Sequence, residues 1–336
     1  MSKPRYLTGI TTSGTPHLGN YVGAIRPAIA SSQDDSIDSF YFLADYHSLI
    51  KSYDAAALKK SSKEIAATFL AFGLNTDNAV FYRQSDIPEI PELTWLLTCM
   101  ASKGLMNRSH AYKAAVAQNE EHGERDPDKG ITMGLFSYPI LMAADILMFN
   151  ANKIPVGKDQ IQHVEMARDI GARFNHHFGQ HFVLPEAEVG EDVAVLNGLD
   201  GRKMSKSYGN TIPLFEPPKR LRKLIMKIKT NSLEPGDPKD PEGCTLFQIY
   251  QAFATAEETT AMRTNYADGI AWGEAKQVLF EYLDNILAEP REKYNELMAN
   301  PQKMEQRLLE GAEKARAISV PFLQDLRSSV GLSPLS

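Results

Sequence analysis

The sequence predicts an α/β protein: a doubly wound parallel sheet in the first part of the chain and a smaller all-helical region after it. Two observations indicate this fold class. Short apolar runs in the first half alternate with helical periods of about 10–15 residues, a pattern typical of βαβ units. Past residue 218 strands become hard to find, and helical periods take over.

The strand and helix predictions follow the chain in order. Residues 6–10 form the first predicted strand, residues 11–15 the loop after it, and a helix begins near residue 18. A second helix is predicted around residues 61–72. Further strands are predicted at residues 40–44, 79–82, 154–156 and 182–184. Ligands of such sheets lie at the carboxyl ends of the strands, so this edge is the expected position of the functional site.

Two segments of the chain differ from their surroundings in composition. Residues 119–129 contain five acidic residues and no aliphatic one, which predicts a mobile surface loop. Apolar spacing at residues 217–233 predicts one amphipathic helix with a basic face. Further helices are predicted at residues 275–287, 290–298 and 304–317. We place a domain boundary near residues 213–218, which gives an α/β domain at 1–213 and a helical domain at 214–336.

Charge and cysteine content exclude several classes of protein. The formal net charge of −6 excludes a uniformly cationic nucleic-acid binder, but not one that uses a local basic patch. The two cysteines form no CxxC pair, so a zinc ribbon, an iron–sulfur cluster and a disulfide framework are all disfavoured. The amino terminus has no apolar run of signal-peptide length, and the most apolar window, residues 138–149, is too short to span a bilayer. We therefore expect a cytoplasmic protein without a membrane partner.

The first candidate functional segment is Gly14-Thr15-Pro16-His17-Leu18-Gly19-Asn20, directly after the first strand. A glycine-bearing turn that leads into a helix N-terminus presents backbone N–H groups and a favourable dipole to an anion. His17 and Asn20 add two polar side chains to the first turn. The alternative interpretation is an ordinary strand-to-helix turn with an N-cap.

The second segment is Lys203-Met204-Ser205-Lys206-Ser207, which glycines flank on both sides. Such a loop can close on a polyphosphate and neutralise the charge of a leaving pyrophosphate. A solvated charged loop is the alternative, but two lysines and two serines in this order make a rare string.

The third segment is the apolar helix that carries Asp145, the only charge between Tyr138 and Phe149. A buried carboxylate is costly unless donors surround it. Tyr138 and Met142 precede Asp145 by seven and three residues, so the three share one helix face. A single acceptor in an apolar pocket suits a ligand with one N–H donor, such as indole. A core helix whose aspartate bonds a backbone group or an arginine is the alternative.

Together, the first two segments resemble the His-Ile-Gly-His and Lys-Met-Ser-Lys-Ser elements of the class I aminoacyl-tRNA synthetases. His17 and Asn20 take the places of the two histidines, and the lysine–serine element is intact. Residues 134–147 and 155–169 resemble the corresponding blocks of the bacterial tryptophanyl-tRNA synthetases. The similarity extends from about residue 8 to residue 210, and the last third matches mainly in length and helical character.

The resemblance implies a Rossmann-like catalytic domain that activates L-tryptophan with ATP and then transfers it from the adenylate to the terminal adenosine of tRNA(Trp). It implies that Mg²⁺ arrives with ATP, and we expect no metal ligands from the protein. It also implies a homodimer, in which the helical, anticodon-binding domain of one subunit helps to hold tRNA bound to the other.

The resemblance assigns residue roles. The predicted catalytic residues are His17, Asn20, Lys203 and Lys206. The predicted ATP-binding residues are Thr11, Thr12, Ser13, Gly19, Asn20, Lys113, Gly157, Asp159, Lys203, Met204, Ser205, Lys206 and Ser207. The predicted tryptophan-binding residues are Tyr138, Met142, Asp145, Ile146, Gln160 and His47.

Three segments depart from the family pattern. One is Asp45-Tyr46-His47, where the family often has Asp-Gln-His. Thr11 and Thr12 stand where many bacterial members have Gln-Pro, and residues 109–111 are Ser-His-Ala in place of Met-Thr-Gln. The contacts that the missing glutamines would make are therefore not carried over to this chain.

The basic face of residues 217–233 is a candidate tRNA surface through Lys219, Arg220 and Arg222; the alternative is an exposed helix face steadied by its neighbours. Alternatives for the whole chain also remain. A tyrosyl-type class I synthetase shares the architecture, and a non-catalytic paralogue could bind tRNA or sense tryptophan. A metabolic nucleotidyltransferase is a weaker third.

Overall fold

Within residues 3–189 and 195–334, which a computed structural model describes, five strands form one sheet in the order β3-β2-β1-β4-β5. They are β1 (Arg5–Thr11), β2 (Asp38–Ala44), β3 (Val80–Arg83), β4 (Lys153–Pro155) and β5 (Glu186–Glu188). Every neighbouring pair is parallel, and Leu7 of β1 stands opposite Phe40 of β2. The predicted doubly wound parallel sheet is confirmed.

Both faces of the sheet are covered. On β2, Tyr41 and Leu43 belong to one apolar core and Phe40 and Phe42 to the other. A strand with two buried faces has a continuous apolar run in its sequence, which is how β2 was recognisable.

Helices supply both layers. They are α1 (Leu18–Asn20), a π-helical segment (Tyr21–Ile25), α2 (Arg26–Ser32), α3 (Asp45–Ser48), α4 (Ala55–Ala71), α5 (Glu89–Thr98), α6 (Lys103–Met106), α7 (His110–Glu121), α8 (Met133–Met148), α9 (Ile161–Phe178), α10 (Pro218–Met226), α11 (Thr245–Phe253), α12 (Ala256–Ala267), α13 (Trp272–Ala299) and α14 (Pro301–Ser329). In these described ranges, no helix is long and apolar enough to cross a membrane.

The predicted strand at residues 182–184 is wrong, and β5 begins only at Glu186. The side chain of Asn175 takes the place of a neighbouring strand. Its Oδ1 accepts from the backbone N–H groups of His181 (3.1 Å) and Phe182 (2.9 Å), and its Nδ2 donates to the Phe182 carbonyl at 2.8 Å. Residue 182 is apolar because it is buried in the core.

The helices predicted at residues 275–287 and 290–298 are one helix, α13, with Pro290 inside it. A proline removes one N–H from the helical ladder and often ends a helix. Here Leu283 and Leu287 are buried before the proline, and Tyr294, Leu297 and Met298 pack against the same core after it. Contacts on both sides of Pro290 therefore hold one continuous helix.

Two other predicted boundaries move. The basic helix α10 ends at Met226, because the chain turns away and the Lys229 N–H donates to the Leu199 carbonyl at 2.9 Å. The predicted loop at residues 119–129 is helical as far as Glu121, and Asn119 then folds the remainder back through bonds to the carbonyls of Pro127 and Lys129.

Helix α14 lies across the β3 edge of the sheet. A Cβ at Gly311 would stand 1.8 Å from the backbone oxygen of Phe81, so only glycine allows this approach. Farther along α14, Ala315 and Leu326 join the core that contains Phe40 and Phe42. The helices after residue 213 therefore share cores with the sheet, and the division at residue 213 stays a prediction.

Candidate active site

The candidate site lies at the carboxyl edge of the sheet, where four strands end. Thr12 follows β1, His47 comes three residues after β2, Gln84 follows β3, and Gly157 comes two residues after β4. The strand order changes direction between β1 and β4, which is where ligands of doubly wound sheets bind. The predicted position of the site agrees with this topology.

His17 and Asn20 form a reciprocal cap at the start of α1. The Nδ1 atom of His17 accepts from the Asn20 N–H at 3.3 Å, and Asn20 Oδ1 accepts from the His17 N–H at 3.1 Å. Burial, together with the positive charge of Lys206, lowers the pKa of His17 to about 4. A neutral imidazole at a helix N-terminus can hold a phosphate by hydrogen bonding without competing for a proton.

The lysine–serine loop is folded onto the first loop. The Lys206 ammonium donates to the Ser13 carbonyl, and the Lys206 stem lies so close to Gly14 that a Cβ there would stand 3.0 Å from its Cδ. The chain after the loop is fastened alongside, since Leu18 N–H donates to the Ile212 carbonyl at 3.0 Å. The structure thus brings together two segments separated by nearly 190 positions.

Some side chains of the loop are buried or hydrogen-bonded, and others are exposed to solvent. Met204 is buried in the core, and the Ser205 hydroxyl caps the short 3₁₀ turn Lys206–Tyr208 by accepting from the Ser207 N–H at 3.3 Å. Lys203 is exposed. Enclosure of its amine lowers the pKa of Lys206 even though the side chain as a whole remains exposed.

Asp145 lies on α8 within a second group of polar side chains and is only 2% exposed. The Gln84 amide donates to its Oδ1 at 2.8 Å and to its Oδ2 at 2.9 Å, and His47 Nε2 lies 3.0 Å from Oδ2. Burial raises the pKa of Asp145, and the two donors oppose that shift. A carboxylate has about four acceptor positions, so one more donor can still be accommodated.

A chain of hydrogen-bonded polar side chains begins next to His47, whose ring centroid lies 6.3 Å from that of Tyr138. The Tyr138 hydroxyl lies 2.7 Å from His163 Nε2, and His163 Nδ1 lies 2.9 Å from Gln160 Oε1. The Gln160 amide in turn donates to Asp159 at 2.9 Å. His163 is buried, and this burial lowers its pKa, so the ring is a neutral relay between the tyrosine and the amide.

The first loop and the group of side chains around Asp145 are linked by a side-chain contact. The hydroxyls of Thr12, after β1, and Ser48, next to His47, lie 2.7 Å apart. Thr12 is therefore a buried link between the loops and is itself covered, whereas Thr11 is exposed. The Thr-Thr departure from the family pattern has this structural role.

The remaining predicted ligand residues differ in burial. Met142 is half-buried, but Ile146 is enclosed in the apolar core. Lys113 and Gly157 are exposed or partly exposed. These assignments stay predictions.

Sequence reasoning missed Gln84, and it missed that His163 connects Tyr138 to Gln160. It also missed Glu64, a carboxylate that is 7% exposed on α4 and accepts from the Thr15 hydroxyl at 2.8 Å. The position of Gln84 directly after β3 was the available signal. His163 lies three residues beyond Gln160, on the same helical face, which was a weaker one.

The basic face of α10 is exposed but partly engaged. Arg220 contacts Glu216 at 3.2 Å, and Arg222 donates to Gln277 at 3.1 Å. Across residues 3–189 and 195–334, no group of three or more His, Cys, Asp or Glu side chains is arranged to hold a metal ion.

Comparison with known proteins defines the class. A family model described as "tRNA synthetases class I (W and Y)" matches residues 1–288. A parallel sheet whose first loop is covered by a lysine–serine loop is consistent with that match. The chain belongs to this family, and it is an aminoacyl-tRNA synthetase.

Individual relatives are named more narrowly. The tryptophan–tRNA ligase of Pseudomonas aeruginosa is 64% identical over 98% of this chain and 74% of its own length. The tryptophan–tRNA ligase of Neisseria meningitidis is 58% identical over the full length of both chains. A crystal structure of tryptophanyl-tRNA synthetase from Campylobacter jejuni with ADP and tryptophan is 43% identical, with a TM-score of 0.89 over 97% of this chain and 99% of that one.

Proposed function

We propose that the chain is a tryptophan–tRNA ligase that activates L-tryptophan with ATP and transfers it to tRNA(Trp). The observation that carries this proposal is the buried Asp145 carboxylate, which Gln84 and His47 hold by hydrogen bonds. The first loop connects it to the lysine–serine loop, since Thr12 contacts Ser48 and the Ser13 carbonyl accepts from Lys206. The names of the relatives at 58% and 64% identity support tryptophan over tyrosine.

The proposed first step is an in-line displacement at the α-phosphorus of ATP. The tryptophan carboxylate attacks, the bond to the bridging oxygen breaks, and pyrophosphate leaves with its Mg²⁺, which enters as part of the substrate MgATP. The nucleophile is already ionised, so no general base is needed and catalysis consists of positioning and charge stabilisation. In the second step a hydroxyl of the terminal adenosine of tRNA attacks the adenylate carbonyl, and AMP leaves.

We assign the nucleotide contacts as follows. His17, neutral at physiological pH, and Asn20 bind the phosphates and the neighbouring ribose from the start of α1. Lys203 and Lys206 neutralise the pyrophosphate, because they lie on the loop that reaches the first motif. Lys113 joins them at the triphosphate, and the predicted ATP contacts at residues 11–13, 157 and 159 border the same strand ends.

We assign the amino-acid contacts to the group of side chains around Asp145. Asp145 accepts the indole N–H, and its apolar surroundings exclude water from that bond. Tyr138 and Gln160, joined through His163, contact the α-amino group. A pocket built around one buried hydrogen bond rejects ligands that lack the donor by a factor on the order of 10⁴.

The finer parts of the proposal concern assembly. The exposed cations of α10 support a tRNA contact in the helical region. Trp95 on α5 is 66% exposed, and an exposed aromatic of this size supports a homodimer contact. We place the enzyme in the cytoplasm, where charged tRNA is consumed.

Exchange of pyrophosphate into ATP without tRNA tests the first step. We expect exchange with tryptophan and none with tyrosine or phenylalanine, and aminoacylation of tRNA(Trp) in the presence of tRNA. Exchange with tyrosine would overturn the proposed specificity for tryptophan but would still support the adenylation step. The Lys206→Ala variant should slow adenylation far more than it weakens tryptophan binding, whereas unchanged single-turnover adenylation would refute its role.

A further inference from the structure

Asn210, which lies just beyond the lysine–serine loop, is 3% exposed and has no role in the mechanism above. Gly209 ends the short turn of the loop with φ at +62°, a left-handed conformation that favours glycine, and so directs the chain back beneath the loop. Residues 196–204 form a short hairpin in which the Met204 N–H donates to the Leu196 carbonyl at 2.8 Å. A Cβ at Gly198 would stand 2.4 Å from Asn210 Cγ, so this hairpin has glycine where the Asn210 side chain passes.

The Asn210 side chain bonds to the backbone of the lysine–serine loop and to the Asp200 side chain before it. Its Oδ1 accepts from the Ser205 N–H at 2.8 Å, and its Nδ2 donates to Asp200 Oδ1 at 2.7 Å and to the Lys203 carbonyl at 3.1 Å. The bond from Asn210 is the main reason that the pKa of Asp200 is lowered to about 2.

These contacts fall next to the two lysines. One bond holds the carbonyl of Lys203 itself, and another holds the residue before Lys206. The direction in which each lysine side chain leaves the backbone is therefore set by one amide, while the Lys206 ammonium at the far end reaches the Ser13 carbonyl.

We propose that Asn210 is a positioning residue, which holds the lysine–serine loop in the conformation that delivers Lys203 and Lys206 to the pyrophosphate. This inference rests on the proposed function, because it assigns Asn210 a part in the same adenylation step. Asn210 touches no substrate. Its effect comes through the backbone geometry of the loop.

The Asn210→Asp variant gives a readout that a general loss of folding would not give. The introduced carboxylate can still accept from the Ser205 N–H, but it cannot donate, and it faces the Asp200 carboxylate at hydrogen-bond distance. Two carboxylates this close share a proton, and the protonated form restores a donor. Asp200 is paired with the Arg202 guanidinium at 2.6 Å, which keeps it ionised, so the shared proton belongs mainly to the introduced carboxylate. We therefore expect tryptophan-dependent exchange to fall on the order of 100-fold at pH 8. Relative to the wild type it should recover as the pH falls towards 5.5.

Three further variants complete the design. Asn210→Ala should be slow at every pH relative to the wild type, with an unchanged KM for tryptophan. The double variant Asp200→Asn with Asn210→Asp exchanges amide and carboxylate without changing the net charge of the pair. It restores the bond between residues 200 and 210 but not the bond to the Lys203 carbonyl, so it should regain part of the activity at pH 8. The matched control is Asn197→Ala, which removes a bond to Gln248 from the same hairpin and should leave the rate near that of the wild type.

Failure of this inference is distinguishable from failure of the proposed function. If the wild type shows no tryptophan-dependent exchange, the proposed function falls, and hydrogen–deuterium exchange still tests the placement, since Asn210→Ala should lose protection at the Ser205 amide. If the wild type is active, three results would overturn the role of Asn210: rates for Asn210→Asp that track the wild type at all pH values, a loss without acid recovery, or a double variant no better than the single ones.

Discussion

Replacement of Gln84 by methionine tests the proposed tryptophan site around Asp145. Methionine has nearly the shape of glutamine, so the Gln84→Met variant removes the donor to both oxygens of Asp145 and leaves little cavity. Asp145 is 2% exposed, so water cannot replace the missing bond. His47 remains as the one other donor to its side chain among the described contacts.

The size of the effect follows from that geometry. A hydrogen bond to a buried charged group contributes about 1.5–3 kcal/mol. A loss of about 2 kcal/mol from the charged form of Asp145 corresponds to roughly a 30-fold weaker indole contact. The pKa of Asp145 is already raised by burial, and removal of a donor raises it further because the protonated form needs fewer donors.

Tryptophan-dependent pyrophosphate exchange measures both consequences. We expect the KM for tryptophan to rise about 30-fold near neutral pH while the KM for ATP changes little. In the wild type this KM should rise as the pH falls through the pKa of Asp145; in Gln84→Met the rise should begin at a higher pH. The matched control is Gln162→Met, since Gln162 bonds only the backbone of His110 and Arg108.

The reasoning would be refuted by a Gln84→Met enzyme with a wild-type KM for tryptophan and a wild-type pH profile. An equal rise in the KM values for tryptophan and ATP would also contradict it, because that pattern indicates general damage to the site.

Three further predictions follow from other parts of the chain. His17 has a pKa of about 4 in the folded protein and about 6.5 in the unfolded protein, so the unfolded state binds more protons below pH 6.5 and the free energy of unfolding falls as the pH drops. Between pH 7 and pH 5 the His17→Asn variant should lose about 2 kcal/mol less of this free energy than the wild type in denaturant titrations. Equal losses would contradict the burial of a neutral ring. Gly311→Ala should destabilise the fold by about 3 kcal/mol in thermal unfolding, against little change for the control Gly273→Ala, whose added Cβ meets nothing within 4 Å; equal melting temperatures would refute the close approach of α14 to β3. Neutralising the exposed face of α10 should weaken tRNA binding. The slope of log affinity against log salt concentration should decrease in magnitude by about one for each tRNA phosphate contact that is lost. An unaltered slope would show that this surface does not bind tRNA. The residues changed in that variant are Lys219, Arg220 and Arg222.

The parts of the site that could be predicted from the sequence are those written as contiguous motifs. The helix start at His17 and the loop at residues 203–207 each carry their chemistry in a few adjacent residues. Asp145 was recognisable because a single charge in an apolar helix has few explanations. The alternation of apolar runs with helical periods indicated β1 and β2, and β2 most clearly because its burial is continuous along the strand.

The parts that could not be predicted depend on partners distant in sequence. Gln84 meets Asp145 across 61 positions, and nothing local to either residue specifies the other. The predicted strand at residues 182–184 failed because its apolar character reports burial, while its backbone bonds are made by the Asn175 side chain. Pro290 misled the helix boundaries because tertiary packing outweighs one missing hydrogen bond.

The two halves of the proposed site differ in burial, and there is a chemical reason for this difference. Discrimination among amino acids needs a buried acceptor whose partners cannot rearrange, and Asp145 lies in a core helix with donors fixed at the ends of two strands. Stabilisation of a leaving pyrophosphate needs charges that can approach and then withdraw, so the lysines stand on a loop whose tip is exposed. Because that loop has little core of its own beyond Met204, its geometry depends on side-chain bonds to its backbone, which is where Asn210 lies. Substitutions around Asp145 should therefore change which amino acid is activated, and substitutions around the loop should change how fast.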